Sequence, residues 1–245
     1  TIKDIGGDTA NAADFAYLNV TDASNIEALT VADYTIVVNK EVQPKMSSAT
    51  TATRNPEALV FVRAGNYGTK YTVIYKQGSD SGSVTYHTKN GSNSADIDDI
   101  QTSFIAEALV HGMTESSLDA SSYPGISRAT ISGSPWPLNA SYWTVAREGS
   151  SIWLQRDDTN EFTIRTDDSV ASSNLSVVKD TVQTFSSLPT VAPNGFSVKI
   201  EGLPDQGSTD AAAYYVAFET SSETTTGAPG VAAFEDGFWK ESVAE

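Results

Sequence analysis

Residues 58–88 leave this chain little choice of fold class. ALVFVR, TKYTVIYK and VTYHT are runs of β-branched and aromatic residues, separated by AGNYG and by QGSDSGS. Such runs suit pleated, half-buried strands. Gly65, Gly68, Gly78 and Gly82 fall in the connections, where tight turns call for left-handed backbone that glycine adopts without steric cost. The pattern predicts a three-stranded meander over residues 58–88.

Upstream, LTVADYTIVVNKEV at residues 29–42 alternates in the same way. Tyr34, Ile36 and Val38 occupy one parity and Thr35, Val37 and Asn39 the other, which predicts one strand over residues 31–42 with both faces at least partly covered. The residues before Ala28 read as a peripheral arm, and residues 46–56 as a small polar linker closed by Pro56. After residue 88 the period changes. Asp96 is placed to cap a helix over residues 97–111 whose apolar face is Ile97, Ile100, Phe104, Ala108 and Leu109, with Asp98 and Asp99 in its first turn and Gly112 as terminator.

Beyond Pro124, Pro135 and Pro137 come the strand-like runs YWTVAR, SIWLQRDD and TNEFTIRT. Residues 182–195 read as a connection with two prolines, and GFSVKIEG, AAYYVAFET and GFWKESV as further strands. The fold class expected is mainly β (α+β), with antiparallel sheets and one principal α-helix, about 97–111, packed on a β-meander. The expected organisation is an N-terminal arm and strand over 1–54 and an inserted β3-helix-β3 domain over 55–188. C-terminal strands over 189–245 would then share a sheet with strand 31–42.

Charge and composition narrow the function classes. Against 31 Asp and Glu stand 15 Lys and Arg, a formal net charge of -16. With no Lys/Arg cluster in the sequence, tight binding of nucleic acid is not expected. No apolar run reaches the length of about 18 residues that a membrane-spanning helix needs, so no membrane anchor is expected. The chain has no cysteine, which removes disulfides and thiolate chemistry and is compatible with assembly in a reducing cytoplasm.

Candidate chemistry is sparse. His87 and His111 are the two histidines, and no G-x-S-x-G elbow follows a strand. Two scattered histidines without cysteine give no zinc spacing, and DDTNEF at residues 157–162 lacks the glycine and distal glutamate of a calcium loop. Abundant carboxylates with Trp136, Trp143, Trp153 and Trp239 as sugar platforms leave a polysaccharide-binding or depolymerase module as the alternative reading. The residues assign no catalytic, cofactor-binding or metal-binding position, and no enzyme is expected.

LTVADYTIVVNKEV resembles the V-A-D-Y-T-F/I-x-V-N phrase of the tail tubular protein B, or tail nozzle, family of short-tailed bacteriophages. VFVRAGNYGTKYTV resembles that family's V-R-x-G-x-Y-G-x-x-Y segment, and IAEALVHGM the helix that follows. FSSLPTVAPNGFSVKIEG, AYYVAF and FWKESV resemble its later phrases in the same order. The likeness runs from Phe15 to the C-terminus and is weakest over residues 114–140 and 219–231.

The resemblance implies a structural virion protein assembled in the host cytoplasm. Its partners would be other copies of itself in a hexameric ring, a tail adaptor protein and tail fibres, with DNA passing through the ring without specific binding. Family members are far longer, so the resemblance also implies an N-terminal portion of a nozzle protein, consistent with a sequence opening on Thr1. The acidity would then serve a bore along which the phosphate backbone slides without sticking.

Overall fold

The computed structural model describes residues 16–31, 34–43, 54–170, 173–202, 213–220 and 234–242. The chain divides into two units, Thr1–Thr51 and Ala52–Glu245.

In the first unit, β1 (Ile26–Val31) and β2 (Tyr34–Asn39) pair antiparallel, with Leu29 opposite Ile36 and Val31 opposite Tyr34. The chain therefore reverses inside the phrase expected to be one strand over 31–42. Asn39 is buried, donating through its N–H to Tyr17 Oη at 3.1 Å and through Nδ2 to the Tyr17 carbonyl at 2.6 Å. Glu41 closes the base of the hairpin by accepting from the Thr21 N–H at 3.0 Å and from Asn25 Nδ2 at 2.6 Å. The Thr21 side chain and then Asn25 hold its carboxyl below the usual value. Among the described residues β1 and β2 make a two-stranded sheet of their own. Most of the linker expected over 46–56 lies outside the described residues.

The second unit holds β3 (Glu57–Val62), β4 (Lys70–Gln77), β5 (Asp80–His87), α1 (Thr102–Thr114), β6 (Ile126–Ser132), β7 (Trp143–Glu148), β8 (Ser151–Arg156), β9 (Thr163–Asp167), β10 (Leu175–Val178), β11 (Thr181–Val182), β12 (Val191–Pro193), β13 (Ser197–Ile200), β14 (Tyr214–Thr220) and β15 (Phe234–Ser242). They form three sheets ordered β6-β5-β4-β9, β10-β3-β8-β7 and β11-β13-β14-β15-β12. All pairs are antiparallel except the short β11–β13 pair. The mainly β class expected from the sequence is the class observed.

The expected meander over 58–88 is corrected in one respect. β4 and β5 form its hairpin, but β3 pairs with β8 and β10, and the meander on which the helix packs is β4-β5-β6. The second triplet shows the reciprocal change: β7 and β8 pair, while β9 crosses to β4. Each triplet thus lends one strand to the other's sheet.

Burial explains the exchange. β3 and β8 are apolar on both parities and buried along their whole length, as central strands between two covering layers are. Ala58, Val60, Ile152 and Leu154 face one core with α1 and the inner side of β4 and β5. Leu59, Phe61 and Trp153 face a second core with Phe196, Val198, Val216 and Phe218 of the C-terminal sheet. Pairing β3 with β4 would leave one of these faces in water, forfeiting about 1.5–3 kcal/mol for each of Leu59 and Phe61. The expected 55–188 and 189–245 segments accordingly share the second core.

The helix begins later than expected. Residues Ser94–Ile100 form a 3-10 turn in which Asn93 is the N-cap and Asp96 closes a capping box, while Ile97 is exposed. Gln101 is extended, and α1 then buries Ile105, Ala106, Ala108, Leu109 and Met113. Gly112 does not terminate the helix. It lies inside the helix against β5, where an added Cβ would sit 2.3 Å from Val84 Cγ1. The carbonyls at the helix end are taken by the Arg128 guanidinium, which donates to Gly112, His111, Glu115 and Ser116. Of the four turn glycines, Gly68 and Gly78 adopt positive φ. Gly65 and Gly82 are instead places of close approach, to the Ile100 carbonyl and to the Trp136 ring with the Ala129 carbonyl.

Candidate functional site

The edge strands β9, β10 and β11, one from each sheet, meet at a cleft of about 640 Å³. Its floor is Phe162, Ile164 and Val177, and its polar rim is Lys76, Glu161, Lys179 and Asp180. A smaller recess of about 310 Å³ continues past Glu161, Lys179 and Asp180 toward Arg54, Glu57 and Lys199.

Lys76 apart, the charges of this rim are committed to one another. Lys179 Nζ lies 3.0 Å from Glu161 Oε2 and 2.9 Å from Asp180 Oδ1, and 5.4 Å from the centre of the Phe162 ring. Burial pulls its pKa down, but the hydrogen bonds to Asp180 and Glu161 outweigh burial and the net direction is up. Such an ammonium crosslinks two loops and is poorly suited to act as a base or nucleophile. Glu57 is nearly buried and accepts from Trp153 Nε1 at 2.8 Å and from Arg54 Nη2 at 3.0 Å.

The two histidines stand apart in roles of different kinds. His111 Nε2 accepts the Asp119 backbone N–H at 2.9 Å and its ring lies 4.8 Å from that of Tyr123, which braces the loop after α1. His87 ends β5 opposite Lys70 and is exposed. In the 157–162 turn, Asp158 accepts from Arg156 Nε at 2.8 Å and from Asn160 Nδ2 at 2.8 Å. The hydrogen bond to Arg156 is the main cause that brings the Asp158 pKa down to about 2. Among the described residues no group of three or more His, Asp or Glu side chains is arranged to hold a metal ion.

The four tryptophans are core and joint pieces. Trp143 stands edge-on to Tyr75 and Phe162, with the Arg156 guanidinium 4.9 Å from its ring centre. Trp136 stands edge-on to Tyr75 and donates to the Ala129 carbonyl at 3.0 Å. Trp153 holds Glu57, and Trp239 donates to the Pro189 carbonyl at 2.7 Å while packing on Phe196 and Phe218. None lines either hollow. No pattern in the residues marks the Lys179 junction, because Glu161 lies in the loop before β9 and Lys179 and Asp180 in the turn between β10 and β11, which meet only once those strands have joined different sheets.

Residues 4–245 match the family described as bacteriophage nozzle protein. Over 216 residues the chain is 27% identical to tail tubular protein gp12 of Escherichia phage T7, a match that covers 86% of this chain and 24% of that relative. The chain therefore spans well under half the length of the curated relative it matches.

Proposed function

The chain belongs to the bacteriophage nozzle protein family, and we propose that it is a wall segment of a short tail's genome-ejection conduit, repeated in a ring of identical copies. A structural role in a phage tail is what the family establishes, and the virion is its place. The finer reading is that the ring is hexameric, assembles in the host cytoplasm, meets a tail adaptor protein on one side and carries tail fibres.

The observation that carries the reading is the family match along nearly the whole chain. Two structural features support it. Three sheets share two continuous cores, a rigid way to build a wall, and the conspicuous side chains are bound up in crosslinks between layers. A net charge of -16 favours passage of DNA without retention.

Antibodies raised against the chain should label the tail of gradient-purified virions, and mass spectrometry of the same particles should detect its peptides in several copies per tail. Virions that lack the chain overturn the proposal.

A further inference from the structure

Most of the described cations already have a partner within the fold or at its surface. Eight of the described lysines and arginines hold a carboxylate within 4.0 Å. Arg63 and Arg128 donate to backbone carbonyls. Three others, Lys70, Lys76 and Arg165, have no carboxylate or carbonyl partner for their side chains among the described residues, and all three are exposed.

These three lie on one surface. Tyr71, Val73 and Tyr75 of β4 point into the core, so Lys70 and Lys76, of the opposite parity, stand on the outer face of the β6-β5-β4-β9 sheet. Arg165 of β9 is registered against Ile74 of β4, and Lys76 against Thr163, which puts Arg165 on the same face, one diagonal step from Lys76. Between the cations the face carries Ile74 and small hydroxyl side chains, among them Thr72 and Thr85 with their oxygens 2.9 Å apart. Asp167 also stands on β9, where it accepts the Ser169 N–H at 2.7 Å.

We infer that the outer face of this sheet, through Lys70, Lys76 and Arg165, is a docking surface for the acidic surface of a second copy of this chain. Charge complementarity selects that occupant. A chain of net charge -16 has carboxylates in excess, and among the described residues this face gathers three cations that no carboxylate neutralises. A phosphate backbone is the poorer fit, because duplex DNA carries one charge per about 1.7 Å of its axis and calls for a denser row of cations than three residues spread from Lys70 to Lys76 with Ile74 and Asp167 among them. The contact is heterologous, basic face to acidic surface, and therefore propagates from copy to copy into a ring or a chain. The inference rests on the assembly of copies argued above.

The test is sedimentation of the chain at about 0.03 M and about 1 M salt, conditions between which the Debye length falls to about 3 Å. The wild-type association constant should fall at least about tenfold at high salt, as expected for a charge-driven contact. The variant Lys70→Glu/Lys76→Glu/Arg165→Glu should remain monomeric at both, with a wild-type circular dichroism spectrum. It still offers an acidic surface, so it should bind wild-type chain one to one and stop further growth. If the triple Glu variant misfolds, the triple Gln variant should show the same loss of self-association.

A wild-type chain that stays monomeric at both salts overturns this docking face, as does a variant that associates as well as wild type. Binding of a fluorescent DNA duplex that wild type shows and the variant loses reassigns the face to phosphate and also overturns the proposal. None of these results bears on the tail reading, which fails only if virions lack the chain.

Discussion

Gly112→Ala separates local preference from packing more sharply than any other single substitution. In an isolated helix the change should stabilise by about 1 kcal/mol, since alanine is the better helix former. Here the new methyl would lie 2.3 Å from Val84 Cγ1 and 3.1 Å from Ile126 Cδ1. Ordinary carbon contacts sit at about 3.5–4.0 Å, so helix and sheet must part by more than 1 Å on that line. Val84 is fully buried and cannot swing away. Overpacking of this kind costs about 1–3 kcal/mol, which exceeds the propensity gain and leaves a net loss of about 1 kcal/mol, or about 2–4 °C in Tm for a chain of this size.

Val84→Ala removes the clashing methyls and alone should cost about 2 kcal/mol in lost burial and cavity. The double variant should then be at least as stable as Val84→Ala, a coupling of about 1 kcal/mol or more. Urea unfolding followed by tryptophan fluorescence and far-ultraviolet circular dichroism reads all four corners of the cycle. A Gly112→Ala chain more stable than wild type, or strictly additive substitutions, would refute the close helix–sheet approach.

Arg128→Ala should destabilise by about 1–3 kcal/mol, because the carbonyls at the end of α1 lose their donors, and amide exchange should rise first over residues 111–116. Glu57→Ala should cost about 2–4 kcal/mol by stranding Arg54 and the Trp153 N–H near the second core. Glu219→Ala, which breaks the exposed pair with Lys240 at 3.1 Å, should cost under about 0.5 kcal/mol; equal losses in urea unfolding would contradict this ranking. Asp158 should titrate near about 2 by carbon-detected NMR, held down chiefly by Arg156. A depressed carboxyl contributes stability above its unfolded pKa of about 3.9, and that contribution disappears as pH falls from about 4 through 2. Arg156→Lys should move the titration upward, and an unmoved midpoint would show that Arg156 is not the cause.

Much of this architecture is legible in the residues, and the misplacements have physical reasons. Strand identity came from alternation and turn glycines, so β4, β5, β7 and β8 stand where the pattern puts them. Sheet membership did not, because a strand's partners depend on which of its faces must be covered. The doubly apolar ALVFV and SIWLQR do carry that signal, and it points to central strands.

The late start of α1 follows from Asn93 and Asp96, whose capping box spends Ile97 on an exposed 3-10 turn instead of the buried face. The hairpin within 29–42 was hidden because both of its arms continue one alternation. Residues 175–178, 181–182 and 191–193 have too few positions for any period to show, and they are strands only through their partners. The Lys179 junction was invisible because Glu161 and Lys179 meet only once β9 and β10, neighbours in sequence, have joined different sheets.

A cryo-EM reconstruction of the tail of the virion that carries this chain would place the three-sheet unit directly. The unit should repeat around the conduit wall, with Lys70, Lys76 and Arg165 of each copy against carboxylates of its neighbour and away from the DNA path. Density for the chain at a site where a polysaccharide occupies the 640 Å³ cleft, or no density for it in the tail wall, would contradict it.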